Sequence, residues 1–168
     1  MSTKWLVCYA THAGSTREVA EFIAGSLRAD GNSVDFLEAR DVRQVDDYDG
    51  VVLGAPLYMF RWHRDARNFL KRMRTALPGK PVYIFALGPF HNTEDEMTTV
   101  RKQLDKELAH FTWLKPAAAT IFVGKYDYAS LHFPYSLIPG FKQMPACDER
   151  DWEAIQAWAK TMDCQPVA

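Results

Sequence analysis

Residues 5–16, Trp-Leu-Val-Cys-Tyr-Ala-Thr-His-Ala-Gly-Ser-Thr, constrain this chain more than any other stretch. An apolar run ends abruptly in a small, polar, glycine-containing turn, and helical spacing begins at once after it. A buried strand hands over to a helix in this way. The first N–H groups of such a helix have no acceptor within it, and its dipole favours an anion. Thr11, Ser15 and Thr16 add hydroxyls at the same place. The stretch reads as a phosphate cradle, although by itself it also reads as a turn and a helix cap. His12 lies inside it, either as a phosphate partner or as a solvated side chain.

The rest of the chain repeats the strand-to-helix pattern. Apolar strands are expected at about Lys4–Ala10, Gly50–Ala55, Pro81–Leu87 and Ala117–Val123, and a weaker, alternating one around Val34 and Phe36. Their near-continuous apolar character predicts burial on both faces, as in a parallel sheet. Helices are expected over Ser15–Ala29 (Val19, Phe22, Ile23 and Leu27 inward, Gly31 ending it) and over Arg64–Ala76 (Ala66, Phe69, Leu70 and Met73 inward). Two more are expected, over Glu94–Phe111 and from an Asp148 N-cap, the latter with Trp152, Ile155, Ala159 and Met162 on one face. The length suits one domain over residues 1–168, and five strands alternating with helices predict an α/β fold with a mainly parallel sheet.

Ligands of such a sheet bind beyond the carboxyl ends of the strands, where strand order reverses. With strand order 2-1-3-4-5 that point lies between the first and third strands. Pro56 stops the third strand in this reading, and Pro56-Leu57-Tyr58-Met59-Phe60-Arg61-Trp62-His63 follows as a loop. Loops normally run over the surface and are polar, so an aromatic one needs an explanation. It is either a satellite hydrophobic cluster or the wall of a site for a flat ring. After the fourth strand comes Gly88-Pro89-Phe90-His91-Asn92. The hydroxyl-rich loop and the two aromatic loops would meet at one edge, and a phosphate attached to a flat aromatic ring fits that combination.

Other phosphate chemistries are missing their residues. There is no GxxxxGK for a P-loop and no GxGxxG after the first strand. A phosphoacceptor receiver would need acids where Ala10, Thr11, Ala55 and Pro56 stand. No Ser-His-Asp pattern or zinc spacing is visible, and no metal site is expected. Cys8, Cys147 and Cys164 are too widely spaced for a CxxC and read as inert thiols of a reducing compartment. A net charge of −1 gives no broad nucleic-acid surface, and no apolar run is long enough to span a bilayer. Met1 to Lys4 lacks signal-peptide layout, so a cytoplasmic location is expected.

Thr11-His12-Ala13-Gly14-Ser15-Thr16 resembles the FMN-phosphate loop of the flavodoxin superfamily, roughly T-x-[ST]-G-x-T, with Ala13 in place of a hydroxyl residue. The chain is most similar to the branch that contains menaquinone-dependent protoporphyrinogen dehydrogenase. Three stretches carry this likeness: Tyr9–Glu18; Val51–Ala55 with the aromatic loop and Ala66–Leu70; and Phe122–Tyr128 with Asp151–Ile155. The resemblance implies a flavodoxin-like three-layer sandwich with FMN as cofactor. Residues 11–16 would hold its phosphate, while Pro56 to Phe60 and Gly88 to His91 would bracket the isoalloxazine. Tyr58 or Trp62 would stack on the ring, and backbone near Leu57–Phe60 would reach its N5 region.

The implied function is an FMN-bearing oxidoreductase or electron-transfer protein acting with a redox partner or a quinone. Protoporphyrinogen IX dehydrogenase and a flavodoxin-like binding module without FMN are the alternatives.

Two features bear on the choice. Arg61, Arg64, Arg67, Lys71, Arg72, Arg74 and Lys80 face a single acid, Asp65, within residues 61–80. They are either a solvated helix face or an attraction for propionates or an acidic partner. The segment 129–147 holds Leu131, Phe133, Tyr135, Leu137, Ile138, Phe141 and Met144, with Lys142 and His132 its few basic residues. It either packs on the domain edge or offers a quinone, a porphyrin or a peripheral membrane contact. In the resembling dehydrogenases this insertion is longer and more basic.

Overall fold

The structure is a computed structural model that describes residues 2–58, 60–131, 133 and 135–162. Met1, Met59, His132 and Cys164 lie outside the described residues, as does the side chain of Tyr135. The elements are β1 (Lys4–Tyr9), α1 (Ser15–Ala29), β2 (Ser33–Glu38), β3 (Gly50–Tyr58), β4 (Arg61–Trp62), α2 (Arg64–Arg72) and β5 (Val82–Leu87). They continue with α3 (Glu94–Leu108), β6 (Ala118–Phe122), β7 (Lys125–Tyr126), α4 (Pro139–Lys142), β8 (Cys147–Asp148) and α5 (Trp152–Lys160). The five main strands pair in parallel in the order β2-β1-β3-β5-β6, which is the expected order once the short β4 is set aside.

Period-two alternation distributes the strands' side chains to two cores. Leu6, Cys8, Val51, Leu53 and Ile84 face Ala66, Phe69 and Leu70 of α2 and Leu104 of α3. Trp5, Val7, Tyr9, Val52 and Phe85 face Val19, Ile23 and Leu27 of α1 and Ile155 and Ala159 of α5. Cys8 is fully buried, and burial pushes its thiol well above the usual range, so it stays protonated and packs as a small hydrophobe. Phe22, expected inward on α1, lies at the helix margin against Trp152, with ring centroids 5.1 Å apart.

Pro56 does not stop β3. The strand runs on to Tyr58 and turns back through β4, pairing Leu57 with Trp62 and Tyr58 with Arg61. Alternation puts the Pro56 nitrogen on the same side as the Gly54 carbonyl, which accepts from Ala10 N at 2.9 Å. β1 has ended there, so no ladder bond requires the missing N–H, and the Pro56 carbonyl accepts from His63 N at 3.1 Å. The last helix is capped by Asp151, whose carboxylate accepts from Ala154 N, and not by Asp148. Asp148 instead pairs β8 with β7 and binds the Arg150 guanidinium, which holds its carboxyl below the usual range.

Much of the basic stretch is spent inside the fold. The Arg72 guanidinium donates to the carbonyls of Ala39 (2.7 Å) and Val42 (3.3 Å), and Lys80 Nζ to those of Asp46 (3.0 Å) and Tyr48 (2.7 Å). These four bonds tether the irregular 39–49 connection to the α2–β5 corner. The 124–147 segment divides. Leu131 is buried and Tyr126 OH bonds the Phe141 carbonyl, whereas Phe133 and Leu137 are 78% and 69% exposed.

Gly54 marks the tightest point of the sheet. A Cβ there would lie 1.9 Å from Phe85 Cζ, inside the ring. Gly54→Ala is expected to destabilise the protein by about 1–3 kcal/mol through overpacking. A fall in the urea midpoint without a change in m-value checks this.

Candidate functional site

The carboxyl ends of β1, β3 and β5 open on one edge of the sheet, and the three loops foreseen from the sequence emerge there. In the first, Thr11 Oγ1 accepts from Gly14 N at 2.8 Å and closes the turn, keeping its own hydroxyl proton to donate. Gly14 adopts φ 89°, a left-handed conformation that side-chain-bearing residues rarely take. As the N-cap of α1 it offers no side chain to the helix end. The first bond of the helical ladder is Glu18 N to the Gly14 carbonyl at 3.1 Å, so the N–H groups of Ser15, Thr16 and Arg17 precede the ladder. Thr16 is fully buried, and its Oγ1 has no hydrogen-bond partner among the described residues. A buried hydroxyl without a partner is costly unless something satisfies it. An anion at this helix start fits that requirement. Ala13 and Ser15 are half-buried beside it.

The second loop is the β3–β4 hairpin. Leu57 is buried, Tyr58 half-buried, and Phe60 is 75% exposed at the tip with φ 66°. Trp62 corrects an expectation. It is a core residue, 1% exposed, with Nε1 donating to the Ala55 carbonyl at 3.1 Å. Alternation across the two-residue β4 turns it under the sheet, so it presents no face to a ring in the cleft. Tyr58 remains, with its ring edge-on to His12 at 5.3 Å between centroids.

In the third loop Gly88 N donates to the Phe122 carbonyl at 3.3 Å, and the Pro89 carbonyl accepts from Gly124 N at 2.9 Å. Phe90 packs on Tyr126, centroids 5.1 Å apart. His91 turns outward: both its backbone N–H and its Nδ1 meet the Glu96 carboxylate at 3.2 Å. A shallow cleft joins the loops and is lined by Ser15, by Pro56, Leu57 and Tyr58, by Leu87, Gly88 and Phe90, and by Gly124 and Lys125. Pro89 and His91 do not line it. Gly124 and Lys125 were not foreseen as site residues. In the sequence they stand within the Phe122–Tyr128 stretch that carries the family resemblance, just beyond a strand of the sheet. A larger cavity of about 470 Å³, bounded by Met97, Arg101 and Thr120, lies along the outer edge of β6. It is away from the strand ends and has no helix N-terminus, so volume and chemistry point to different places, and the chemistry favours the cleft.

His63, at the start of α2, was also missed. Its Nδ1 accepts from Asp65 N at 3.1 Å and caps the helix. Its ring lies 4.1 Å from that of His12, at 46°. Among the described residues, no group of three or more His, Cys, Asp or Glu is arranged to hold a metal ion, and no helix is long and apolar enough to cross a membrane.

This arrangement, an anion-ready helix start beside aromatic loops at the switch point of a doubly wound sheet, defines a flavodoxin-like protein. The flavodoxin domain model matches residues 6–136, and the chain belongs to that family. It is 23% identical over 127 residues to protoporphyrinogen IX dehydrogenase [quinone] of Escherichia coli K12, covering 74% of this chain and 70% of that one. Oxidised flavodoxin 2 of Bacillus cereus superposes with a TM-score of 0.60 at 21% identity, over 95% of this chain and 97% of that one. The flavodoxin of Streptococcus pneumoniae TIGR4 superposes with a TM-score of 0.63 at 18% identity, over 96% and 98%.

Desolvation lowers the His63 pKa, with Asp65 opposing and Arg64 and Arg67 assisting. A depressed histidine pKa means that the unfolded chain binds the proton more readily. The stability held by neutral His63 is therefore complete above about pH 6.5 and is lost as pH falls below it. His63→Asn keeps a capping side chain that does not titrate. Between pH 7.5 and 5.5 the urea midpoint of the wild type is expected to fall further than that of this variant.

Proposed function

We propose that the protein binds FMN at this edge and transfers electrons between redox partners, with a quinone as the acceptor. The convergence at one cleft of the aromatic hairpin and the α1 start, where Ser15 lines the cleft and the next residue, Thr16, has a buried hydroxyl unpartnered among the described residues, carries this reading. Residues 11–16 hold the phosphate: the N–H groups of Ser15, Thr16 and Arg17 and the hydroxyls of Thr11 and Thr16 donate to it, and the dipole of α1 adds to the field. Tyr58 offers its ring to the isoalloxazine, while the backbone of the hairpin and of Gly88–Phe90 borders it. FMN, when bound, supplies one- and two-electron chemistry at that ring. The chain's part is to exclude water with Leu57, Leu87 and Phe90 and to tune the potential with backbone dipoles and Lys125.

Flavin absorbance in the purified protein, or after reconstitution with micromolar FMN, tests the proposal. Absence of bound flavin after reconstitution would leave a binding module without FMN. Thr16→Val removes the buried hydroxyl at nearly constant volume. The variant is expected to bind FMN about tenfold or more weakly, as for one lost hydrogen bond to a charged group, with riboflavin affinity unchanged. The apoprotein's urea midpoint should not fall.

The second reading is oxidation of protoporphyrinogen IX. The identity to the Escherichia coli enzyme favours it, together with the exposed Phe133 and Leu137 as apolar contacts for such a ring. Protoporphyrinogen with a menaquinone analogue separates the two: flavin-dependent formation of protoporphyrin supports the dehydrogenase. Quinone reduction from an artificial donor without it supports a carrier.

A further inference from the structure

We infer that the groove between the carboxyl ends of α2 and α3 docks an acidic segment of a partner protein, with an apolar side chain of that segment seated on Trp113. The inference goes beyond the flavin reading and does not rest on it. α2 and α3 each run back from the carboxyl edge of the parallel sheet, so their last turns lie at the edge opposite the cleft. There Lys71, Arg74, His110, Phe111, Thr112 and Trp113 line a cavity of about 290 Å³, and no carboxylate is among them. Its rim and floor differ in kind. Lys71, Arg74 and His110 are exposed, whereas Phe111 is buried and Trp113 half-buried, with ring centroids 6.3 Å apart at 88°.

The cations at this rim are the part of the basic stretch that the fold does not use. Arg72 and Lys80 tie backbone carbonyls, Arg64 lies 3.6 Å from Asp65, and Arg67 lies 3.9 Å from Glu107. Lys71 and Arg74 make no hydrogen bond or ion pair among the described residues. Arg67, Lys71 and Arg74 follow at spacings of four and three, so they share the outward face of α2 and the turn after it, while Phe69 and Leu70 take the inward one. Like charges at these spacings oppose helix formation, and around Lys71 the same spacings hold Arg67, Asn68, Arg74 and Thr75, none of them an acid. The dipole of α2 favours positive charge at this end, but Arg72 is already there. Negative charge from outside relieves the row. The dimensions select a peptide segment. The cavity is at the lower limit of the about 300–1,000 Å³ of small-molecule sites, which suits one side chain. The row leading to it, Arg64 to Lys71, rises about 10 Å, which about three residues of extended chain span. Acids beside an aromatic residue match that row and the Trp113 floor, and tryptophan and arginine are the residues that most often anchor interfaces. A nucleic acid fits worse, because the chain carries a net charge of −1 and α3 beside the row holds Asp105 and Glu107.

The test titrates the purified protein into a fluorescein-labelled peptide, Glu-Asp-Glu-Glu-Phe-Glu-Asp, and follows anisotropy at low ionic strength. The wild type is expected to bind it, with affinity falling as salt rises. Serine in place of the peptide's phenylalanine should weaken binding about tenfold, as for an apolar anchor lost. Lys71→Gln/Arg74→Gln should weaken it about five- to tenfold, as for two exposed ion pairs, and its urea midpoint should not fall, because like charges have been removed. Lys102→Gln/Lys142→Gln removes the same charge elsewhere and should change binding less than about twofold. No binding by the wild type overturns the inference. Equal weakening by the two double variants overturns it, leaving general charge attraction. Unchanged binding of the serine peptide overturns it by leaving the groove unused. Binding of single-stranded oligodeoxythymidine or of phosphatidylglycerol vesicles that is tighter than that of the peptide, and lost in Lys71→Gln/Arg74→Gln, overturns it in favour of a nucleic acid or an anionic lipid surface. Self-association of the wild type that is lost in the same variant overturns it in favour of a second copy. None of these outcomes touches the flavin reading, which flavin absorbance tests separately.

Discussion

The parallel pairing of β1 with β3 is the constraint on which the rest depends. Its last bond, Ala10 N to the Gly54 carbonyl at 2.9 Å, sets the start of the 11–16 turn beside the middle of β3, just before the stretch that runs on into the hairpin. Because β2 lies on the other side of β1, strand order reverses between β1 and β3, and α1 begins at that switch point. The close approach of β3 to β5 at Gly54, where the Phe85 ring occupies the place of a side chain, keeps the 88–91 loop within reach of the same edge. An anion site and an aromatic site thus arise at one place from sheet topology alone.

Around this frame the charged residues do three kinds of work. Arg72 and Lys80 are structural ties, holding backbone carbonyls of 39–49 that no strand or helix would satisfy. Arg150 joins Asp148 and Glu18, fastening the segment before α5 to α1, and its ring contact with Trp152 lies 4.8 Å from the centroid. The helix starts are each satisfied differently: α2 by His63, α3 by Thr93, α5 by Asp151. Among the described helices longer than one turn, α1, at the switch point, is the one whose cap, a glycine, gives nothing back to its N–H groups. This contrast among helices of one chain is the physical argument for a ligand there.

Sequence patterns conveyed some of this directly. The bounds of α1 matched because its apolar stripe, glycine start and Gly31 stop are all local signals. The parallel sheet followed from the alternation of strands and helices, and its order 2-1-3-4-5 from the family resemblance that begins in the 11–16 loop. Pro56, Trp62 and Asp148 went differently for a common reason. Whether a proline ends a strand depends on which side its nitrogen faces. Whether a tryptophan is a site residue depends on which face of a two-residue strand it occupies. Which of two aspartates caps a helix depends on where an arginine lies. Each is decided by a neighbour distant in sequence or by a short irregular element without periodicity. Gly124, Lys125 and His63, each within a stretch the sequence singled out, were not expected at the site for the same reason.

By itself, then, the sequence determined the layered α/β architecture, the parallel character of its main strands and the nature of the turn after β1. These follow from hydrophobic period and helix-terminal chemistry, which are properties of contiguous residues. The tertiary structure alone decided that the buried Thr16 hydroxyl has no hydrogen-bond partner among the described residues, that Trp62 belongs to the core and that His12 meets His63. Burial and ring contact are relations between segments that only the closed sheet brings together.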